Sequence, residues 1–495
     1  MLDLSHTKRV LIVGGGTAGW LAALEMRHSL PPHVEVMLVE SDAIGILGAG
    51  EGSILNFDTA LRRWGIDRRE FMAQTQATYK VGVQFDGWRT GQPGDRYYHM
   101  FSTRRGGVDL TDWRRRGFYP YSSWLMSRGI SPGDYSALRE FIDRGASQAE
   151  VEQHLARVPE DAPAYHFDAR RLAAYLRTKA EERGVRRVEG MVRGFTRDAA
   201  GLLTSAQTDK GEFAAGFFID ASGFAGLVHR KLLQEPWHSF ADSLLLDRAV
   251  PFFLPRQGEH PPLVTVSRAM RHGWMWTIPT QGRLGCGYVY SSAFADEQQV
   301  LAELKEVVGR DVDPLAHLRF SPGRLRNCLA GNALAVGLAS GFVEPLEATS
   351  IGQTIYQLML FGAMVFESDG LVTDRVVEVF NEEIARGWDS IQDFLILHYD
   401  GARYDTPFWQ AARSAPKPAR YLELRDILKR RTPRHPDLMP YFMGGRLIFG
   451  IPSWETVGFA MGHVGQEVAQ RQLATLSADD TVHMADFART WRELH

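Results

Sequence analysis

Apolar residues in this chain come in short blocks whose spacing changes with the element they predict. Val10-Leu11-Ile12-Val13 is a continuous apolar run of strand length, far too short to cross a bilayer. Past a glycine-rich break, Ala18, Leu21, Ala22, Met26 and Leu30 recur near the 3.6-residue period of a helix, which Pro31-Pro32 ends. Residues 34–39 form a second apolar run, a buried strand that stops on Glu40. Between Thr78 and Phe85 the period becomes two: Tyr79, Val81, Val83 and Phe85 face one way, and Thr78, Lys80, Gly82 and Gln84 the other. That is a half-buried strand, and on the pattern alone Lys80 is a solvated strand lysine. Residues 134–184 read as helical, with amphipathic repeats over 135–145 and 170–183, and residues 185–192 and 201–208 read as strands. Phe217-Phe218-Ile219 is a buried run ending on Asp220 and the small residues Ala221-Ser222-Gly223. Residues 247–292 alternate strand-like runs with turns and predict an antiparallel sheet. Residues 333–341 predict a buried strand feeding a small-residue loop. Ile351, Ile355, Leu358 and Met359 then mark a helix with Thr349 or Ser350 as its N-cap, and from about Val372 the pattern is mainly helical.

The first break carries chemistry. Gly14, Gly16 and Gly19 match G-x-G-x-x-G between a strand and a helix, and Glu40 closes the unit about twenty residues later, where an acid that bonds an adenosine ribose is expected. Gly14 permits the tight turn, Gly16 lets backbone approach a pyrophosphate, and Gly19 lets the helix sit against the sheet. The helix start, with Thr17 and Ala18 in its first turn, offers free N–H groups and a favourable dipole to the pyrophosphate. A structural glycine turn would leave Glu40 unexplained. The strand ending on Asp220 and the loop at Gly337 repeat the strand-then-small-residue logic and join the expected cofactor contacts. A second glycine-dense patch runs from Gly45 to Ser53 and includes Gly50, also an expected cofactor contact. It reads as a loop for close approach to a flat ligand or as a flexible connector.

Composition narrows the class. At 495 residues the chain expects two or three packed domains, and 44% hydrophobic with 23% charged residues is ordinary for a globular protein. A net charge of −3 gives no long-range attraction for nucleic acid or anionic lipid. Cys286 and Cys328 have no metal-like spacing, so they are expected as free thiols in a reducing compartment, and no metal site is expected. The opening MLDLSHTKRV lacks the apolar segment of a signal peptide, and no window has the apolar length of a membrane helix. The expectation is a cytoplasmic enzyme. Residues 87–125 are dense in Trp, Tyr, Phe and His, as in a core or in a pocket for a flat aromatic substrate.

Three glycine-type segments far apart in sequence, with no second G-x-G-x-x-G for a nicotinamide, resemble the glutathione-reductase-like FAD fold. The glycine turn followed by Trp20, the Tyr79-Lys80 strand, Gly273-Trp274-Met275-Trp276-Thr277-Ile278-Pro279, and Phe342-Val343-Glu344-Pro345-Leu346-Glu347 together resemble the flavin-dependent tryptophan halogenase family. The resemblance implies a mixed α/β chain in which the FAD-binding part is discontinuous, over 1–77, 165–235 and 320–371. A substrate and β-sheet region over 78–164 and 236–319 interleaves with it, followed by a helical region over 372–495. It implies that FAD, reduced by a separate flavin reductase, reacts with O₂ and halide to give hypohalous acid. Trp274, Trp276 and Pro279 keep flavin and substrate apart, and the oxidant travels through a tunnel to Lys80, which hydrogen-bonds it or carries it as a haloamine. Glu347 then stabilises the cationic intermediate or takes its proton, Thr349 and Ser350 bind halide through their backbone, and His99, Phe101 and Trp454 hold an indole.

Those roles agree with elementary chemistry. A lysine shielded from water is a directional donor whose lowered pKa also makes it a usable nucleophile. Glu347 precedes a helix start and reads equally as a capping carboxylate, and His99 with Phe101 reads as an aromatic clamp or as core. The family often has E-S-T where this chain has Glu347-Ala348-Thr349, which leaves chloride versus bromide preference open. The tyrosines and glutamate that grip the amino-acid end in tryptophan-specific members find no residue-by-residue match around 441–454. Tryptophan, indole and other indole compounds all remain candidates, and a homodimer stays open. The main competing reading is a flavin monooxygenase hydroxylating an aromatic ring; a flavin-binding sensor without turnover is the other.

Overall fold

The protein is described here from a computed structural model covering residues 2–45 and 51–493. Gly50 and the middle of the second glycine patch lie outside the described residues. Strand Arg9–Val13 and strand Glu35–Glu40 pair in parallel, as the apolar runs predict, with helix Thr17–Ser29 crossing between them. They sit in a six-stranded sheet ordered Arg186–Glu189, Glu35–Glu40, Arg9–Val13, Phe217–Asp220, Ala333–Ala335 and Leu329–Ala330. Every neighbouring pair is parallel except the terminal hairpin. The chain therefore returns to this sheet twice from far away, so its glycine-type loops gather at one edge. Helix Thr17–Ser29 is buried from Gly19 to Met26, and its one buried acid, Glu25, accepts from Trp64 Nε1 at 2.8 Å and pairs with Arg63. Such pairing removes the cost of an isolated interior charge.

A second, seven-stranded sheet runs Leu318–Arg319, Arg248–Pro255, Arg283–Tyr290, Gly273–Pro279, Val264–Met270, Gly82–Asp86 and Arg96–Met100. The expected antiparallel order holds for five of its six pairs. The exception is Val264–Met270 beside Gly82–Asp86, which is parallel because the latter strand arrives from much earlier in the chain. Two further expectations are corrected. The single strand over 78–85 is two, Thr78–Lys80 and Gly82–Asp86, lying in different sheets and buried on both faces. The helical stretch over 134–184 contains a strand, Ala164–Phe167, which pairs with Thr78–Lys80 and with Glu51–Gly52 to make a small third sheet between the two large ones. Its four residues are too few to break a helical reading but are all buried, and pairing decides their state.

Helices Thr349–Glu367 and Asp374–Asp400 lead the C-terminal part. Among the described residues no helix is long and apolar enough to cross a membrane, and no group of His, Cys, Asp or Glu could hold a metal ion. Cys286 and Cys328 are free and buried. Helix Ile451–Ala460 carries Glu455, wholly buried, whose two oxygens make no well-formed hydrogen bond among the described residues and have only the Ser122 and Thr432 hydroxyls as weak polar partners. Burial pushes this carboxyl up to about 8, against a downward pull from the Ser122 and Thr432 hydroxyls. As pH rises above the ordinary carboxylate value, the unfolded chain loses this proton first, so the native state is penalised from about pH 4.5 until about pH 8. Glu455→Gln is therefore expected to flatten the fall of Tm across that window and to stabilise the protein by on the order of a few kcal/mol at its upper end. Parallel thermal melts of the two proteins that kept the same slope would dismiss Glu455 as the titrating group.

Candidate active site and cofactor cradle

The glycine turn closes as its residue types require. Gly14 has φ +108°, and a Cβ there would lie 2.3 Å from the Ala221 carbonyl oxygen on the neighbouring strand's loop. A Cβ on Gly19 would lie 1.9 Å from the Gly14 carbonyl, which is the close helix-to-sheet contact. At Gly16 a Cβ would meet nothing within 4 Å, so the space above the turn is open. Helix Thr17–Ser29 starts from Gly16 without a side-chain cap, leaving its first N–H groups for an anion. Gly337, at φ +60°, packs on Ala18, where a Cβ would come within 2.6 Å. Glu40 ends its strand beside the turn and is held by Arg187 Nε at 2.6 Å. The Asp220 carboxylate accepts from the Val228 and His229 amides at 2.9 and 3.0 Å and from Ser222, so it braces the loop that follows its strand.

The small third sheet carries Lys80 to the centre of the molecule. Lys80 is 0% exposed, which overturns the solvated-lysine reading: the strand alternates locally, but the residues on both of its faces are buried. Its Nζ donates to the Ser53 carbonyl at 3.1 Å and stands 5.1 Å from the centroid of the Phe101 ring. Burial lowers its pKa to about 8, partly offset by the nearby charge of Glu347. A methyl built on Gly52 would touch both Lys80 Nζ, at 3.3 Å, and Ala348 Cβ, at 3.4 Å, so the ammonium lies next to the residue that follows Glu347.

Glu347 and Ala348 both have left-handed backbone, φ 65° and 55°, a strained pair of non-glycine residues. Helix Thr349–Glu367 begins straight after them, with Ala348 and neither Thr349 nor Ser350 as the N-cap and with no side-chain cap bond. The Thr349 hydroxyl is buried and has no partner among the described residues. Glu347 is 3% exposed. Its Oε2 lies 2.9 Å from His99 Nδ1 and its Oε1 3.3 Å from His398 Nε2. Burial would raise its pKa, but the two imidazoles outweigh that and hold it far below the ordinary carboxylate range.

His99 and Phe101 do not form parallel plates. Their rings meet at 87° with centroids 6.2 Å apart, because His99 turns its Nδ1 to Glu347. Trp454 is fully buried, stacked on Tyr441 at 5.5 Å and edge-on to Phe394 at 5.1 Å. Phe394, on helix Asp374–Asp400, reaches His99 at 5.5 Å and so connects the two. Trp274 and Trp276 come from the second sheet with rings 6.3 Å apart, and Pro279 ends the same strand, its carbonyl taking the Thr78 hydroxyl at 2.8 Å. Trp274 Nε1 donates to Glu344 Oε1 at 2.9 Å, and Tyr399 donates to the same oxygen. Burial pushes Glu344 up to about 7 despite those donors. His398 and Tyr399 are given no role by the sequence pattern, and Glu344 enters it only as a member of the motif at 342–347. A histidine and a tyrosine near the end of a long amphipathic helix look like ordinary inward-facing positions, and nothing local announces their partners.

The tryptophan halogenase family model matches residues 9–476 of this chain. The chain is 36% identical over 424 residues to the tryptophan 7-halogenase RebH of Lentzea aerocolonigenes, covering 81% of this chain and 78% of RebH. It is 32% identical over 468 residues to the tryptophan 6-halogenase SttH of Streptomyces toxytricini, covering 90% and 88%. Among solved structures it superposes on Xcc4156, a flavin-dependent halogenase from Xanthomonas campestris, with a TM-score of 0.81 at 29% identity, covering 96% and 97% of the two chains.

Proposed function

The chain belongs to the flavin-dependent tryptophan halogenase family, and from that premise we propose that it halogenates an electron-rich carbon of an indole-type substrate using Lys80 and Glu347. Membership favours halogenation over ring hydroxylation. The observation that carries the assignment is a fully buried lysine and a fully buried carboxylate, charge-coupled to each other beside a cluster of aromatic rings and away from the glycine turn's own contacts. FAD fits the cradle: the open space at Gly16, the uncapped helix start at Thr17 and Ala18, and Gly14, Gly19, Gly337 and the Asp220 loop would hold its pyrophosphate side, with Glu40 toward the ribose. Bound in its reduced form, FAD supplies the electrons by which O₂ and halide become hypohalous acid. The absence from the sequence of a second nucleotide fingerprint supports delivery of that reduced flavin by a separate reductase.

The protein's own groups then act on halide, oxidant and substrate. The uncapped start of helix Thr349–Glu367, with the unpartnered Thr349 hydroxyl and Ser350 behind it, is suited to a halide ion. Trp274, Trp276 and Pro279 stand as a wall that denies the substrate direct access to the flavin side. The Lys80 ammonium, anchored by Ser53, donates a hydrogen bond to the oxidant's oxygen and so makes its halogen electrophilic. As halogen adds to the ring, the oxygen–halogen bond breaks and the oxygen leaves as water with a proton from the Lys80 ammonium; Glu347 offsets the positive charge and takes the proton from the substituted carbon, and the C–H electron pair returns to the ring. His99, Phe101 and Trp454 shape the aromatic surroundings.

Burial lowers the Lys80 pKa to about 8, so in this ammonium role the halogenated product per flavin oxidised is expected to hold from pH 6 to about 7 and to fall to about half by pH 8. A yield that rises through that window would mark the haloamine route instead, since that route needs the free amine. The assignment itself is tested with the protein, FAD, a flavin reductase with NADH, O₂ and bromide, offering indole, tryptophan and substituted indoles. Mass spectra with the paired bromine isotope pattern are expected; an oxygenated product without halogen would overturn it.

A further inference from the structure

We propose that His398, oriented by Tyr97, is a positioning residue that fixes the Glu347 carboxylate for proton removal; the inference rests on the catalytic role of Glu347 given above. Glu347 Oε1 and His398 Nε2 face each other at 3.3 Å, both atoms are buried, and neither makes a well-formed hydrogen bond to the other or to any other described group, so each is the nearest available partner of the other. The other ring nitrogen of His398, Nδ1, is 2.7 Å from the Tyr97 hydroxyl. Phe85 stacks on both the His398 ring and the Tyr97 ring at 4.6 Å, and Trp88 and Phe394 meet His398 edge-on, so the imidazole has no freedom to swing away.

The order of groups is hydroxyl, imidazole, carboxylate, with elements from three distant parts of the chain supplying them. A buried phenol gives up its proton with difficulty, and burial together with the Glu347 charge raises Tyr97 well above its ordinary value, so Tyr97 O–H acts as the donor to Nδ1. Nδ1 is then the acceptor, which leaves the proton of a neutral imidazole on Nε2, the nitrogen that stands 3.3 Å from Glu347 Oε1. Burial lowers the His398 pKa, so the ring stays neutral and gives direction without contributing a second full charge. His99 holds the opposite oxygen at 2.9 Å. Besides these two imidazoles, the charged or titratable neighbours acting on Glu347 are Lys80 and Tyr97. The His99 bond on one oxygen and the His398 imidazole set against the other fix the carboxylate plane in a site where a misplaced base costs rate. The consequence for the reaction is specific: loss of His398 slows the breaking of the C–H bond at the halogenated carbon but leaves the making of hypohalous acid alone.

The test compares Tyr97→Phe, His398→Phe and His398→Gln with Glu347→Gln, using ring-deuterated and ordinary indole with bromide. His398→Phe is expected to lower product formation about 10- to 100-fold with flavin oxidation unchanged, and to reveal a primary isotope effect that the unaltered enzyme lacks. His398→Gln, which keeps a donor toward Glu347, is expected to recover part of that loss, and Tyr97→Phe to lose a few-fold with the same isotope effect. Nitrogen-15 spectra of the flavin-free protein provide a readout independent of turnover: His398 should hold its proton on Nε2, and Tyr97→Phe should mix the two tautomers. Unchanged tautomer populations together with no isotope effect in any of the three variants would overturn the proposal. If Glu347→Gln itself brominates normally, the catalytic reading of Glu347 fails instead, and the two failures are told apart.

Discussion

Lys80→Ala is expected to leave reoxidation of reduced flavin by O₂ within about twofold of the unaltered protein while lowering halogenated product by roughly a thousandfold or more. The split follows from geometry. Lys80 is enclosed with Ser53, Phe101 and the Glu347 turn, whereas the cradle for the nucleotide is built from the glycine turn, helix Thr17–Ser29 and the loop at Gly337. Deleting the ammonium removes the only group in that enclosure proposed to polarise the oxidant, and it also leaves a cavity in a fully buried position, which costs stability. Lys80→Met keeps the volume and should behave identically in catalysis, so the two variants together separate a lost donor from a lost fold. Stopped-flow absorbance of the flavin and mass spectrometry of the product, run on the same samples, measure the two halves. Equal loss of both would place Lys80 in flavin binding and end its proposed role.

Glu347→Gln should cost about a hundredfold to ten-thousandfold in halogenation rate, the usual range for removing a positioned base. The substitution preserves shape and retains an oxygen that can accept from one of the two imidazoles, but it cannot take a proton, and its amide would point an N–H at the other. Because His99 and His398 hold Glu347 ionised far below neutrality, the rate of the unaltered enzyme should show no dependence on this carboxylate anywhere between pH 5 and 9. Its contribution to stability follows the same sign. A carboxylate with a depressed native value stabilises the fold above the ordinary carboxylate range and loses that contribution only in strong acid. A pH profile whose acid limb sits near neutrality, and which vanishes in Glu347→Gln, would show that the carboxylate is not held as the geometry requires.

The first βαβ unit, its glycine turn and the acid at the end of its second strand were readable from the chain alone. So were the later returns at Asp220 and Gly337 and the strand bearing Trp274 and Trp276. These features depend on spacing within about thirty residues: a run of apolar side chains, a residue without Cβ where backbone must pass close, and an amphipathic period. The identity of Lys80 and Glu347 as a pair came from resemblance, and no local pattern would have joined residues 267 positions apart.

What the tertiary structure alone decided is where charge is buried. Local alternation put Lys80 on a polar face, yet the chain breaks at Val81 and sends two short strands into different sheets, so both faces are covered. The strand Ala164–Phe167 hid inside a helical stretch for the same reason, since pairing with distant strands outweighed local preference. His398 and Tyr97 meet across 301 residues, and His99 turns from a ring wall into a partner of Glu347 only once the two histidines converge on it. Secondary structure is governed by neighbours along the chain and is legible there. Desolvation and hydrogen-bond partnership depend on what surrounds a group in space, and in this protein those are what turn a strand lysine and a helix-entrance carboxylate into a reactive pair.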